Sequence, residues 1–149
     1  MVLADSRAGA SAIIDAFRGL NAHFLVQEFV AEANGSDLRC FVVDGKVVAS
    51  MLRTAADGDF RSNVHQGGTV KKVRLSKEER RAAVKAARIL KLNVAGVDIL
   101  RSSTGPKILE VNSSPGLQGI EKATGKDIAG EIINCIETNV RTVFRTTRK

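Results

Sequence analysis

The stretch VAGVDILRSSTGPKILEVNSSPG, Val94–Gly116, reads as two apolar strands joined by a turn rich in Ser, Gly and Pro. Strand residues two apart share a face, so Glu110 and Asn112 lie together. A pairing near Asp98–Glu110 brings Asp98 to that face, while Val97, Ile99, Leu109 and Val111 turn toward a core. Two carboxylates and an amide oxygen at the mouth of a sheet make a hard-oxygen site of the kind Mg²⁺ prefers. A site of that type is completed by phosphate oxygens and water, which points toward ATP. The same spacing equally suits polar residues on a solvent-facing edge, and the hairpin alone does not choose between the two.

Working outward, the rest of the chain alternates hairpins and helices. Asp5 is expected to cap a first helix through about Arg18, with Ala10, Ile13, Ile14 and Phe17 on one face. HFLVQEFV, His23–Val30, is apolar and β-prone and is expected to form a strand. Asp37–Val43 and Lys46–Leu52 flank Asp44-Gly45, the dipeptide of a two-residue type I′ turn. Ala55–Gly68 reads as a loop and Val70–Leu75 as a short strand. Ser76 followed by Glu79 is a capping box that opens a helix to about Leu90. A helical turn near Gln118–Ala123 precedes a last helix from about Asp127 to Val140, with Ile128, Ile132, Ile133, Ile136 and Val140 as its buried stripe. The tail RTVFRTTRK is expected to fray. Antiparallel hairpins with flanking helices define an α+β fold, an antiparallel sheet flanked by helices.

A chain of 149 residues suffices for one domain with a real core and is short for two. No apolar run approaches the ~20 residues of a membrane span, and MVLADSRAGA has no secretory pattern. Cys40 and Cys135 sit in apolar runs, which suits buried thiols and a cytoplasmic setting. Of the formal charge of +7, the segment 53–91 holds eleven basic against four acidic residues. Such a surface attracts ATP, an acidic substrate or RNA. Aromatic residues are only 4%, all Phe, so platforms for base stacking are scarce and direct nucleic-acid binding is not expected.

Two further clusters bear on the hairpin. GDFRSNVHQGG carries Arg61 and Asn63, a pair suited to phosphate oxygens of a metal-bound triphosphate. LVQEFVAEANGSDLRCFVV offers main-chain groups at Glu28–Val30 for an adenine, then Asp37 for ribose hydroxyls and Arg39. Each has a plainer reading: Arg61 as a solvated loop arginine, Asp37 as a turn residue, Arg39 as an ion-pair partner. His65 and His23 are read as loop and strand-start residues rather than catalysts, and no Walker-type loop, GxGxxG, CxxC or HExxH is present.

LVQEFV, SDLRCFVVDGKVVASMLR, GDFRSNVHQGG, VAGVDIL and EVNSSPGLQGIEKATGKDIA together resemble the C-terminal part of the ATP-grasp ligase fold, over about Val2 to Val140. Within that fold they resemble the RimK group, which ligates glutamate to ribosomal protein S6. DIL followed by EVN marks ATP-grasp enzymes generally, and SSPGLQGIEKATG favours this group.

The resemblance implies roles by position. Glu28 and Phe29 fall on the segment that contacts adenine, and Asp37 on the nucleotide-binding aspartate. Arg61, Ser62 and Asn63 fall at the triphosphate, with Arg61 the catalytic candidate. Asp98, Glu110 and Asn112 fall on the ligands of two Mg²⁺ or Mn²⁺ ions, with Glu110 bridging, and Arg39 is a weaker substrate or phosphate contact. The implied partners are ATP, glutamate and a carboxylate acceptor, S6 by this resemblance, with a homo-oligomer left open. The implied chemistry is an acyl phosphate formed from ATP and displaced by an amine. Residues 1–140 match the C-terminal part of the domain and 141–149 form a basic tail. The glycine-rich phosphate loop of the first lobe has no counterpart in this sequence. The expectation is that the chain alone binds nucleotide weakly and does not ligate. Alternatives are an ATP-grasp ligase with another acceptor, or a basic docking module without catalysis.

Overall fold

The computed structural model describes residues 1–56 and 67–146, with side chains through 140. Its frame is a five-stranded antiparallel sheet, β1 (Ser36–Val43), β2 (Lys46–Thr54), β3 (Thr69–Lys72), β4 (Val94–Ser102) and β5 (Gly105–Asn112). The spatial order is β3-β2-β1-β4-β5, so the two hairpins lie side by side with β1 against β4. Asp44 and Gly45 both take positive φ, +48° and +69°, as the type I′ turn requires.

Neither hairpin is regular. Val43 pairs with Lys46 and Val42 with Val47, but Phe41 pairs with Ala49, so Val48 is an extra residue in β2. In the second hairpin Ile99 pairs with Ile108 and Asp98 with Glu110, so Leu109 is extra in β5. Each bulge reverses the facing of every residue beyond it relative to an unbroken ladder.

The sheet is covered on both faces. Leu38, Cys40, Val42, Ala95, Val97 and Ile99 pack beneath α2 (Lys77–Ile89) through Ala83 and Ala87. Phe41, Val43, Ala49 and Met51 pack beneath α3 (Gln118–Thr124) and α4 (Ile128–Thr146) through Ile120, Ile128 and Cys135. The capping box at Ser76 and Glu79 is complete in both directions. Arg101 of β4 donates to Glu79 Oε1 at 2.7 Å, tying the start of α2 to the sheet.

Four expectations are corrected. Ser6, not Asp5, caps α1 (Arg7–Gly19), with its hydroxyl accepting the Gly9 N–H at 3.1 Å. His23–Val30 is not a strand, because apolarity supplies side chains but no neighbouring backbone, and no strand pairs with it among the described residues. It runs past the second hairpin instead, held by Gln27 Nε2 to the Leu109 carbonyl at 3.3 Å and by Ser103 Oγ to Glu32 at 2.7 Å. α4 buries only part of its apolar stripe: Ile128 is fully buried and Ile132 partly, whereas Ile133, Ile136 and Val140 are about half exposed. At about 3.6 residues per turn Ile128, Ile132 and Cys135 share the face turned to the sheet, and Ile133, Ile136 and Val140 are rotated off it. α4 also remains helical to Thr146, through most of the tail expected to fray.

Candidate functional site

At one end of the sheet, the face carrying α3 and α4 changes from apolar to charged. Asp37 and Arg39 of β1, Arg53 of β2, Asp98 of β4, and Glu110 and Asn112 of β5 continue the rows that hold Phe41, Met51 and Gly96 further along. Asp37 and Asp98 are buried to 1% exposure, which is tolerable only with partners. Both have them. Arg53 donates through Nε to Asp37 Oδ1 at 2.9 Å and through Nη2 to Asp98 Oδ2 at 2.6 Å, with a second Nη2 contact to Asp37. Arg39 grips Asp98 from the other side, with Nη2 on Oδ2 at 2.6 Å and Nε on Oδ1. Its Nη2 also lies 3.6 Å from Glu110 Oε1. A chain of alternating charge thus runs Asp37–Arg53–Asp98–Arg39–Glu110 across four strands.

The electrostatics follow from this chain. Burial opposes the charge on Arg53, but the hydrogen bonds to Asp37 and the nearby Asp98 outweigh it and hold the guanidinium above its usual value. Glu110 moves the other way: partial burial, then the adjacent Asp98, raise its carboxyl above the ordinary value. Among the described residues no buried side-chain polar atom lacks a hydrogen-bond partner.

The predicted metal residues therefore converge. Asp98 and Glu110 are direct register partners, and Asn112 pairs with Gly96 two positions along the same face. The loop after β5 is fixed from within. Asn112 Oδ1 accepts the Ser114 N–H at 2.8 Å, and Pro115 covers Gly96 so closely that an added Cβ would lie 2.7 Å from the Pro115 Cβ. Beyond it, Ile120 fills the core and Glu121 Oε1 accepts the N–H groups of Ile128 at 2.8 Å and Ala129 at 3.0 Å, capping α4. The run SSPGLQGIEKATG thus seats the end of the acidic hairpin on the second core.

As donors, two carboxylates and an amide oxygen fit a hard divalent cation. Arg39 and Arg53 occupy the oxygens of Asp98, so Glu110, with its side chain 56% exposed, and exposed Asn112 form the open side of that set. Among the described residues no cluster of three or more His, Cys, Asp or Glu gathers around one point, so protein carboxylates alone do not close a metal cage. Glu28 and Phe29 are exposed on the segment that passes β5. Arg61, Ser62 and Asn63, and with them His65, lie outside the described residues.

Arg53 is the site residue that sequence reasoning missed. With a two-residue turn at Asp44-Gly45, an unbroken ladder pairs Asp37 with Leu52 and turns Arg53 to the opposite face. The bulge at Val48 gives the observed Asp37–Arg53 pair.

Comparison with known proteins places these features in a family. The RimK-like ATP-grasp domain matches residues 1–136. A protein of Cellvibrio japonicus (strain Ueda107) called "Probable alpha-L-glutamate ligase" is 63% identical over 146 residues, 98% of this chain and 48% of its own. A protein of the same description from Aliivibrio fischeri (strain MJ11) is 57% identical over 99% of this chain and 49% of its own. The chain spans about half the length of the curated relatives it matches. Among solved structures, the ATP-grasp ligase PsnB complexed with minimal precursor superposes with a TM-score of 0.61 at 26% identity, over 76% of this chain and 36% of that one. The D-alanine–D-alanine ligase of Bacillus anthracis complexed with ATP shares the fold, with a TM-score of 0.61 at 19% identity over 92% of this chain and 48% of its own. Among the described residues no helix is long and apolar enough to cross a membrane.

Proposed function

Because the chain belongs to the RimK-like ATP-grasp domain family, we propose that it supplies the nucleotide- and metal-binding part of an ATP-dependent glutamate ligase. The observation that carries the reading is the Asp98–Glu110 register pair, beside Asn112 and braced by Arg39 and Arg53. Asp98, Glu110 and Asn112 hold the metal, Mg²⁺ or Mn²⁺, as two ions. When bound, the ions neutralise triphosphate charge and orient it for transfer. Arg39 and Arg53 keep the Asp98 carboxylate fixed in a dry setting, so little reorganisation is needed when charge moves above it. Asp37 holds the ribose, Glu28 and Phe29 flank the adenine, and Arg61, Ser62 and Asn63 attend the triphosphate, with Arg61 as the catalytic residue.

The reaction we assign is a two-step ligation. A carboxylate oxygen of the acceptor bonds to the γ-phosphorus, the bond to the ADP oxygen breaks, and ADP leaves. The amine of glutamate then attacks the acyl carbon, phosphate departs, and an amide remains. The acceptor is the C-terminus of ribosomal protein S6, in the cytoplasm. Residues 1–140 act as the C-terminal part of the ATP-grasp domain, and this chain alone binds nucleotide weakly without ligating.

Titration with Mg²⁺-ATP tests the reading. Metal-dependent nucleotide affinity that falls in Asp98→Asn and Glu110→Gln is expected. Affinity indifferent to metal and to both changes would sink it. Robust ADP release from ATP, glutamate and acceptor by this chain alone would overturn only the statement that it does not ligate.

A further inference from the structure

Arg39 stands between the two carboxylates of the acidic hairpin. Its Nη2 donates to Asp98 Oδ2 at 2.6 Å and lies 3.6 Å from Glu110 Oε1, while its Nε holds Asp98 Oδ1. One nitrogen thus sits at the point shared by the register pair Asp98 and Glu110. The two arginines of the site are anchored differently. Arg53 is tied through Nε and Nη2 to the buried Asp37 as well as to Asp98. Among the described residues the Arg39 guanidinium pairs only with Asp98 and with Glu110, the exposed member of the set. Three carboxylates, Asp37, Asp98 and Glu110, against two guanidinium groups leave this end of the sheet with a net charge of −1. A surface so nearly neutral attracts a lone divalent cation only weakly.

Resting on the ligase reading, in which Asp98 and Glu110 hold the metal, we propose that Arg39 Nη2 competes with that metal for its place and so sets its affinity. A cation shared by the two carboxylates must touch an oxygen of each, and Nη2 already does so at Asp98 while facing Glu110. An ionised carboxylate offers about four acceptor sites. Three at Asp98 are taken, by Arg39 Nε, Arg39 Nη2 and Arg53 Nη2. Two positive charges at one point also repel strongly in a half-buried setting. Metal and the Nη2 contact therefore exclude each other. On metal binding Arg39 turns about its Nε contact with Oδ1, and Nη2 leaves Oδ2 and Glu110. Arg53, anchored by Asp37, stays on Oδ2, so the Asp98 carboxylate keeps its position throughout. Arg39 in this way neutralises a buried acid that is otherwise costly. It also holds down the affinity for a lone cation, which favours metal that arrives with an anionic ligand over the free ion.

Arginine side-chain nitrogen–proton NMR spectra of the full chain, titrated with Mg²⁺ in the absence of nucleotide, test the proposal. Signals are assigned by their loss in Arg39→Lys and Arg53→Lys. Before Mg²⁺ is added, the Nη protons of both residues are expected as separate signals, because carboxylates on the guanidinium slow its rotation. At Mg²⁺ saturation those of Arg39 should merge, while its Nε–H and all the Arg53 signals persist. In parallel, the electron paramagnetic resonance of free Mn²⁺ measures metal affinity. Arg39→Gln should lower the Mn²⁺ Kd by about tenfold or more, with circular dichroism unchanged because Arg53 still neutralises Asp98. Arg39 Nη signals that stay separate at saturating Mg²⁺, while the Glu110 and Asn112 amides shift, overturn the proposal and leave the ligase reading standing. Mn²⁺ binding by Arg39→Gln that is no tighter than wild type also overturns it. The spectral arm reads the wild-type chain, so the proposal is decided even where Arg39→Gln fails to fold. Glu110 and Asn112 amides that ignore Mg²⁺ with and without ATP sink the ligase reading itself, and this inference with it.

Discussion

Arg53 of β2 and Asp98 of β4 touch across the strand between them, Nη2 to Oδ2 at 2.6 Å, while the same guanidinium holds Asp37. One side chain therefore bridges the residue assigned to the nucleotide and the residue assigned to the metal. A buried carboxylate stripped of its cation is costly, and without Arg53 that cost falls on Asp37, while Asp98 keeps Arg39.

Replacing Arg53 by Ala is expected to destabilise the fold by about 3–5 kcal/mol. Lysine at this position should recover only part of the loss, because a single ammonium cannot serve both carboxylates with the geometry of the guanidinium fork. Denaturant unfolding of both variants measures this. In a double-mutant cycle, Asp37→Asn with Arg53→Ala should be strongly non-additive.

Removing Val48 restores an unbroken ladder in the first hairpin. Asp37 is then expected opposite Leu52, with Arg53 turned into the α2 core. The variant should lose the cooperative unfolding transition, or retain a fold in which a change at Arg53 no longer affects Asp98. Thermal unfolding followed by circular dichroism reads the first outcome, and chemical shifts around Asp98 read the second.

Acid should weaken the join between α2 and the sheet. Burial works against the Glu79 charge, but Arg101 and the Ser76 amide outweigh it and hold the carboxyl below its ordinary value of 4.5. A carboxylate depressed in the folded state contributes stability above its unfolded pKa, and that contribution disappears as pH falls through the lower folded value. Wild-type stability should therefore decline from near pH 4.5 downward, and Glu79→Gln should be less stable at neutral pH with a flatter acid limb. Urea midpoints measured from pH 3 to pH 7 give the comparison.

Cys40 should resist alkylation. Burial, followed by the neighbouring Asp98, pushes its thiol up to about 12, so at pH 8 the reactive thiolate is scarce as well as shielded. Iodoacetamide followed by mass spectrometry is expected to find Cys40 unmodified in the folded chain and modified in denaturant. Modification at equal rates in both would contradict the burial.

Much of this was legible from local chemistry. Asp44-Gly45, the Ser76–Glu79 box and the convergence of Asp98, Glu110 and Asn112 each depend on residues close in sequence, and the α+β sheet follows from them. What escaped reading depends on distant partners. Nothing near Val48 marks it as an extra residue, so the facing of Arg53 was hidden. His23–Val30 has the composition of a strand, but strand formation is decided by whether another backbone lies alongside. The apolar stripe on α4 is wide, and which part of it faces the sheet is set by how the helix is rotated on its neighbours. Ile133 and Val140 are as apolar as Ile128 but sit on a different side of the helix.

α1 and α2 have the same length, 13 residues, yet one buries no side chain while the other buries Glu79, Ala83 and Ala87. A helix this short is marginal in water without packing, and α1 has the Ser6 cap and the Phe17–Phe24 ring contact at 5.6 Å to sustain it. Its amides should therefore trade hydrogen for deuterium through small local openings, while those of α2 wait for the sheet to come apart. The protein is accordingly two-tempered in time: its first helix is remade continually while its second persists as long as the fold does.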